Sequence, residues 1–514
     1  MSLLTESPQW QRLQAHQKEM QSCHLSHLFQ ADPKRFEKFS HRHAGLILDY
    51  SKNLITDHTL ELLIQLAQQA QLNQAIEALF TGSKVNTTQQ LPALHTALRD
   101  PDLSALFIEG KNIMPDIRAN LRKMTDCIHK RQKQLKQIVH LGIGGSYLGP
   151  KMAVQALAQN AANPIKIKFI SYDDEIYLTH LVQNIDPKTC LFILASKSLT
   201  TLETRKNAEI VIHRLKQRGL SIADHCLAIT HYPDKAEAFG IPAENIFTLT
   251  AWIGGRYSLW SAMGLSLAFL IGMEGFLELL AGARAMDQHF RATPFIKNMP
   301  VILALLTIWY RNFFHTHAHA ILPYDARLKY LPAYLQQLLM ESNGKSIQNE
   351  GQKINYSTCP VIFGELGFNA QHSFYQLLHQ GSELLPIDFL VSFKNHLNTQ
   401  QPYVLANVLS QSKALMDGYK GQYSYQTLAG NRPSTTLALT DITPSTLGAL
   451  LALYEHKTFV ESVIWSIDPF DQWGVEYGKQ LNQELFAHLK EDKPRCVYDS
   501  STEGLLALYR DAYT

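Results

Sequence analysis

From residue 137 the chain alternates short apolar, β-branched runs with stretches of helical spacing, a pattern that few folds accommodate. The runs are QIVHLGI from Gln137, IKIKFIS (Ile165–Ser171), CLFILAS (Cys190–Ser196) and HCLAIT (His225–Thr230). Between them lie PKMAVQALAQNA and TLETRKNAEIVIHRLKQRG, whose apolar residues recur at helical intervals. Strands that follow one another across a helix lie parallel, and helices then cover both faces of the sheet. The pattern predicts a doubly wound, mainly parallel sheet in a three-layer α/β/α sandwich.

A second such region follows. MPVILALLTIWYRNFF, LPAYLQQLLMES and AQHSFYQLLHQ read as helices, while CPVIFGE and IDFLVSF read as strands. The N-terminal part, with TLELLIQLAQQAQLNQAIEALF, and the tail are helical in pattern. The expected organisation is an N-terminal helical segment over 1–105, a smaller α/β domain over 106–275, a larger one over 276–475 and a helical arm over 476–514. With 46% hydrophobic and 18% charged residues among 514, the chain can build large cores.

Composition also narrows the function. A net charge of +2 makes no electrostatic case for nucleic acid. The stretch YSLWSAMGLSLAFLIGM (Tyr257–Met273) falls short of the roughly 18 apolar residues of a membrane span and reads as a buried core helix. The N-terminal residues show no basic start followed by an apolar core, so no secretory leader is expected. Cys23, Cys127, Cys190, Cys226, Cys359 and Cys496 form no CxxC pair, which suits reduced thiols in the cytoplasm.

Chemistry first shows itself at VHLGIGGSYLGPKM (Val139–Met152). A strand, a glycine turn and a helix together aim backbone N–H groups and a positive helix end at an anion. The dinucleotide pattern GxGxxG fails at its third glycine, where Tyr147 stands, and GxxxxGK[ST] fails because Pro150 follows Gly149. Asp173, near the end of the second strand, leaves a nicotinamide-binding reading open; a tight turn without any ligand is the other alternative. A second loop, SKSLTTLET, follows the strand at Cys190 and gathers Ser196, Lys197, Ser198, Thr200 and Thr201. Loops after parallel strands meet on one sheet edge, and several hydroxyls with one lysine suit a phosphate monoester. Those hydroxyls could instead cap a helix; with Ser146 alongside, a phosphate pocket is the better reading.

These loops, together with WIGGRYSLWSAMGL (Trp252–Leu265), MESNGK, GFNAQHSFYQLLHQG and SVIWSIDPFDQWGVEYGK (Ser462–Lys479), resemble the glucose-6-phosphate isomerase family over about residues 45–500. The resemblance implies an enzyme that interconverts glucose 6-phosphate and fructose 6-phosphate through a cis-enediol, in glycolysis and gluconeogenesis, without cofactor or metal. Departures from the family pattern stand at Tyr147, Leu202, Leu366, Phe368 and Ala370. Such a reaction needs a base that takes and returns a proton, a cation beside the enediolate and an acid–base group for ring opening.

Glu341 ends an apolar helix, with Asn343 and Gly344 as its C-terminal cap, and a carboxylate at the negative helix end is favoured as a base. On the residues alone it could equally be a solvated glutamate; the resemblance makes it the proton shuttle. Arg256, after two glycines, could pair with a structural carboxylate; the resemblance makes it the enediolate's cation. His372 reads as lying in the first turn of a helix capped by Asn369, where a neutral imidazole is favoured. The resemblance assigns His372 to ring opening and has it enter the site from the neighbouring subunit, implying a homodimer. Gln472 and Lys479 are spaced to share a helix face, and the resemblance makes Gln472 a substrate contact and Lys479 a ring-opening group. It also places Gly145, Ser146, Ser196, Lys197, Ser198, Thr201 and Gly255 around the substrate.

HTHAHA spaces His315, His317 and His319 two apart, which would share a face on a strand and could bind a metal. The cluster follows a helical stretch and has no carboxylate nearby in sequence, so no metal is expected. Two rivals remain: a non-catalytic sugar-phosphate-binding protein, and a nicotinamide-dependent dehydrogenase, for which the dinucleotide loop is missing.

Overall fold

The computed structural model describes residues 4–161, 165–172, 175–395, 399–491 and 498–513. It divides into two compact units, Met1–Phe470 and Asp471–Thr514. Asp173 and Cys496 lie outside the described residues.

The first unit holds two sheets. Strands β1 (Ser40–His43) and β2 (Leu46–Asp49) form an N-terminal hairpin. The first sheet contains β3 (Gln137–Leu141), β4 (Lys166–Ile170), β5 (Cys190–Ala195), β6 (Cys226–Thr230) and β7 (Ile246–Thr248), all parallel in the order β4-β3-β5-β6-β7. The second contains β8 (Ala318–Pro323), β9 (Val361–Gly364), β10 (Ile387–Lys394) and β11 (Ser434–Asp441), joined by the hairpin in the order β1-β2-β11-β10-β8-β9. Its four later strands are parallel; β2 meets β11 antiparallel. The two three-layer sandwiches expected from the alternating pattern are thus present.

Alternation along each strand sorts side chains to opposite faces. In β3, Val139 and Leu141 join one apolar cluster with Leu178 and Val211 of the outer helices, while Ile138 joins the larger central core. In β10, Phe389 and Val391 pack with Val408 and Leu415, and Leu390 turns toward the central core. Each fully buried Leu or Phe contributes on the order of 2 kcal/mol.

Helices Leu265–Ala292 and Pro444–Ile464 cross through that core. Their backbones touch at two glycines: a Cβ on Gly282 would lie 1.8 Å from the Ser445 carbonyl oxygen, and one on Gly448 2.0 Å from that of Leu279. The Leu265–Ala292 helix is long and apolar enough to span a membrane, but 67% of its most apolar window is buried inside the protein. Its dihedrals break at Gly272 (φ 77°), three residues before the expected boundary at 275.

Three sequence readings change. The N-terminal segment is not wholly helical: SHRHAGLILD forms the β1–β2 hairpin, turning through Ala44 (φ 48°) and Gly45 (φ 77°). Strand β8 includes His319, whereas His315 is left-handed (φ 55°), so the three histidines do not share a strand face. His319 also has the carboxylate partner that local sequence did not offer, Asp388 at 3.0 Å on neighbouring β10. Among the described residues no group of three metal-ligating side chains converges.

The second unit opens with a short 3-10 turn, Trp473–Val475, followed by the Glu476–Glu491 helix; helix Ser500–Tyr513 closes it. Arg510 meets His488 at 2.6 Å, and the His488 ring stands edge-on to Tyr498, which ties its two long helices together.

Candidate active site

Chain order reverses at β3, whose neighbours are β4 on one side and β5 on the other. Loops leaving β3 and β5 therefore flank a crevice at the carboxyl edge of the sheet, where parallel α/β folds bind ligands. The glycine loop leaves β3. Gly144 is left-handed (φ 58°), and Gly144–Ser146 make a 3-10 turn before the Leu148–Leu157 helix. His140, buried in β3, grips this turn: its Nε2 lies 2.7 Å from the Ser146 carbonyl oxygen and its Nδ1 2.7 Å from Ser266 Oγ. Burial pulls its pKa down to about 4.

Gly145 brings a second turn against the first. A Cβ there would sit 2.1 Å from the backbone carbon of Gly255, so only glycine permits the approach. Gly255 opens the 3-10 turn Gly255–Tyr257, which carries Arg256. The Arg256 guanidinium is buried and held: Nε donates to Ser342 Oγ at 2.7 Å and Nη2 to the Pro469 carbonyl at 2.6 Å. Its Nη1 stands 3.4 Å from Glu341 Oε2, longer than a tight charge-assisted bond, and the Glu341 side chain keeps 24% of its surface exposed. A fixed cation thus faces a half-buried carboxylate that remains open on one side.

Glu341 ends a different helix from the one expected. After Leu331–Leu335 the chain widens into a π-helical turn, Gln336–Glu341, a form enriched at functional sites. No left-handed cap follows. Instead Asn343 is buried, its amide donating to the Thr458 carbonyl and to Glu461 Oε2 at 3.0 Å each, and Gly344 N–H returns to the Met340 carbonyl. The segment is anchored to the core helix by side chains, which removes the need for glycine geometry. Lys457 completes the anchor, 2.6 Å from Glu461 Oε1 with both charges buried. Gln337, one turn before Glu341, has its Nε2 beside Gly144 and its buried Oε1 without a partner among the described residues.

The loop after β5 folds on its own hydroxyls. Ser196 Oγ accepts from Leu199 N–H, and Ser198 Oγ accepts from the Thr200 N–H and hydroxyl. Thr201 is the N-cap of the Leu202–Gln217 helix, yet its hydroxyl makes no capping bond, so helix capping does not account for this cluster. Lys197 is not a freely projecting charge: its ammonium donates to the Ala251 and Ile253 carbonyls at 2.9 Å each, just before the Arg256 turn. Burial and the nearby Arg256 charge lower its pKa.

His372 requires a correction. It closes the short Gly367–Gln371 helix at φ −101°, ψ 9°, exposed, and the next helix starts only at Tyr375. Phe374, itself non-helical, packs on Phe363 of β9 and splits the expected helix in two. Leu366 rather than Asn369 is the N-cap, so the argument from a helix N-terminus does not hold. In the second unit, Gln472 precedes the helix with φ −154°, so Gln472 and Lys479 do not share a helix face; Lys479 Nζ pairs with Glu476 at 2.7 Å.

The unusual residues are accommodated by packing. The Tyr147 hydroxyl lies 2.5 Å from Lys151 Nζ, whose charge also stands over the Tyr330 ring. Leu202 opens the Leu202–Gln217 helix. Phe368 stacks on Tyr403 and meets Tyr324 edge-on, and Ala370 is fully buried. His140, Ser342, Gln337, Glu461 and Lys457 were not singled out from the sequence. Only Ser342 carried a signal, its place inside MESNGK.

The family model Phosphoglucose isomerase matches residues 49–506. The chain is 44% identical to a glucose-6-phosphate isomerase of Pseudomonas fluorescens, covering 99% of this chain and 98% of that one. It is 43% identical to one of Shewanella oneidensis, covering 99% of each. Among solved structures, a glucose-6-phosphate isomerase from Chlamydia trachomatis superposes with a TM-score of 0.91 at 31% identity, covering 99% and 100%.

Proposed function

The chain belongs to the phosphoglucose isomerase family, and from that premise we propose a division of labour among its residues. The reaction interconverts glucose 6-phosphate and fructose 6-phosphate, a step of glycolysis and gluconeogenesis. Glu341 takes the C2 proton of the open-chain aldose and returns it to C1. The C2 hydroxyl proton passes to O1, so the cis-enediol closes to the ketose with no net change in oxidation state. Arg256 offsets the charge that develops on the enediolate oxygens; a guanidinium suits this because it does not lose its own proton.

Phosphate is held by Ser146, Ser196, Ser198 and Thr201 at the open start of the Leu202–Gln217 helix. Gly145 and Gly255 let the backbone approach the sugar, and Lys197 acts by fixing the turn before Arg256. Gln337 accepts from a sugar hydroxyl with its unpartnered oxygen. His372 and Lys479 open the ring, Gln472 contacts the substrate, and the enzyme works as a cytoplasmic homodimer in which His372 serves the partner's site.

The observation that carries this reading is the pairing of fixed Arg256 with half-open Glu341 beside the Gly145–Gly255 contact. A coupled assay of fructose 6-phosphate conversion, with no metal or redox cofactor in the isomerase step, tests it. Turnover that vanishes on exhaustive chelation would oppose it, as would equal conversion of unphosphorylated fructose.

A further inference from the structure

A pocket of about 240 Å³ opens between the Met114–Arg131 helix and the chain that follows β7, and its lining includes none of the residues assigned to substrate. The walls are apolar: Leu98, Ile117, Leu121, Met124, Trp252 and Trp260. Most polar side chains on it are already engaged. Asn120 donates to the Thr248 carbonyl at 3.2 Å, Ser261 Oγ to the Ser258 carbonyl at 2.7 Å, and exposed Lys111 and Asp116 pair at 2.6 Å. The exception is Thr250, whose buried hydroxyl has no partner among the described residues. A buried hydroxyl left unpaired is destabilising, and a ligand acceptor would satisfy it.

One wall of this pocket belongs to the catalytic apparatus. Thr250, Trp252 and Ile253 lie in the segment whose Ala251 and Ile253 carbonyls hold the Lys197 ammonium, and Gly254, Gly255 and Arg256 follow directly.

We propose that this pocket is a regulatory site for an uncharged, compact bicyclic ligand carrying one hydrogen-bond acceptor. Size, lining and the lone hydroxyl select that class. An apolar cavity of about 150 Å³ admits a benzene ring, so the larger volume has room for two fused six-membered rings. The indoles of Trp252 and Trp260 offer ring faces or edges, and the apolar walls reject a charge. Occupancy displaces the Thr250–Ile253 wall and, through Lys197 and Arg256, the sugar-phosphate site. Ligand and substrate therefore bind together while weakening each other. This coupling rests on the functional reading above; the binding itself does not.

Quinoline, neutral near pH 7.5 with a single acceptor nitrogen, is the probe, and calorimetry on the full-length protein is the measurement. One saturable site per chain is expected, weakened two- to tenfold but not abolished by saturating fructose 6-phosphate. Leu121→Trp, which fills the pocket, should weaken quinoline at least tenfold; Ile117→Phe serves the same purpose if that variant does not fold. Thr250→Val should weaken quinoline at least fivefold while leaving naphthalene, which lacks the acceptor, within twofold. With quinoline bound, KM should rise at least twofold in the wild type and not in Leu121→Trp. Absence of saturable binding, equal affinity in the filled variants, or full displacement by fructose 6-phosphate would overturn the site. Binding as expected with KM and kcat unchanged would overturn its regulatory role.

Discussion

At the scale of single residues, the site depends on backbone approach as much as on charge. Gly145 and Gly255 illustrate the asymmetry: a methyl group on Gly145 collides with the Gly255 backbone, whereas one on Gly255 meets only Gly145 Cα at 3.7 Å. Gly145→Ala should therefore cost about 1–3 kcal/mol of stability and lower activity by two orders of magnitude or more, while Gly255→Ala should melt like the wild type; thermal melts and coupled assays of both check this. His140 adds a pH dependence. Its folded pKa of about 4 lies below the ordinary value of 6.5, so the unfolded chain binds the proton more readily. Stability is thus retained above pH 6.5 and lost as pH falls toward 4. Between pH 7 and 5 the loss from this histidine is about 2 kcal/mol, and His140→Asn, neutral throughout, should remove it in denaturant titrations at the two pH values. Glu341 and Arg256 were legible from their motifs, but their pairing was not, because it joins turns far apart in sequence. His140 left no trace at all: inside an apolar strand a histidine reads as core, and only the tertiary fold shows the Ser146 carbonyl in front of it.

At the scale of elements, the catalytic carboxylate is set by what lies beneath it. The π-turn ending at Glu341 is pinned through Asn343 to Glu461, which is neutralised by Lys457 on the same buried helix. Removing one charge of such a pair leaves the other uncompensated in the core, whereas removing both leaves only apolar packing to repair. Lys457→Ala should cost about 3–5 kcal/mol, and Lys457→Met with Glu461→Leu clearly less, in urea titrations. The double variant should nonetheless show reduced kcat, because Asn343 loses an anchor. Parallel core strands were readable because burial on both faces makes them continuous apolar runs, as in CLFILAS. The β1–β2 hairpin was not: SHRH on its outer strand is polar, and edge strands need no apolar run. Strand β8 was hidden by its histidines and by the helix before it. The helix expected around His372 failed for another reason, since packing of Phe374 on Phe363 overrode a helical sequence pattern.

At the scale of the whole molecule, the first unit carries both sheets, the loops and the Glu341–Arg256 pair, and the second carries Lys479. Because His372 is proposed to serve a partner's site, two inactive variants, Glu341→Gln and His372→Ala, should complement each other when co-expressed. A heterodimer has one site with both defects and one with neither, and random pairing makes about half the dimers heterodimers. Activity should then recover to about a quarter of wild type; isolated heterodimers no more active than their parents would assign His372 to its own chain or remove it from the reaction. Beneath that arrangement lies the claim that one carboxylate moves the proton, and it is tested most directly by following loss of deuterium from glucose 6-phosphate labelled at C2, by NMR in ordinary water. The wild type should release label to solvent as it turns over. Glu341→Gln should bind the sugar phosphate within about threefold of wild type yet lose label at least a thousandfold more slowly. Label lost from that variant at a rate within tenfold of wild type would contradict the account, because some other group would then be taking the proton.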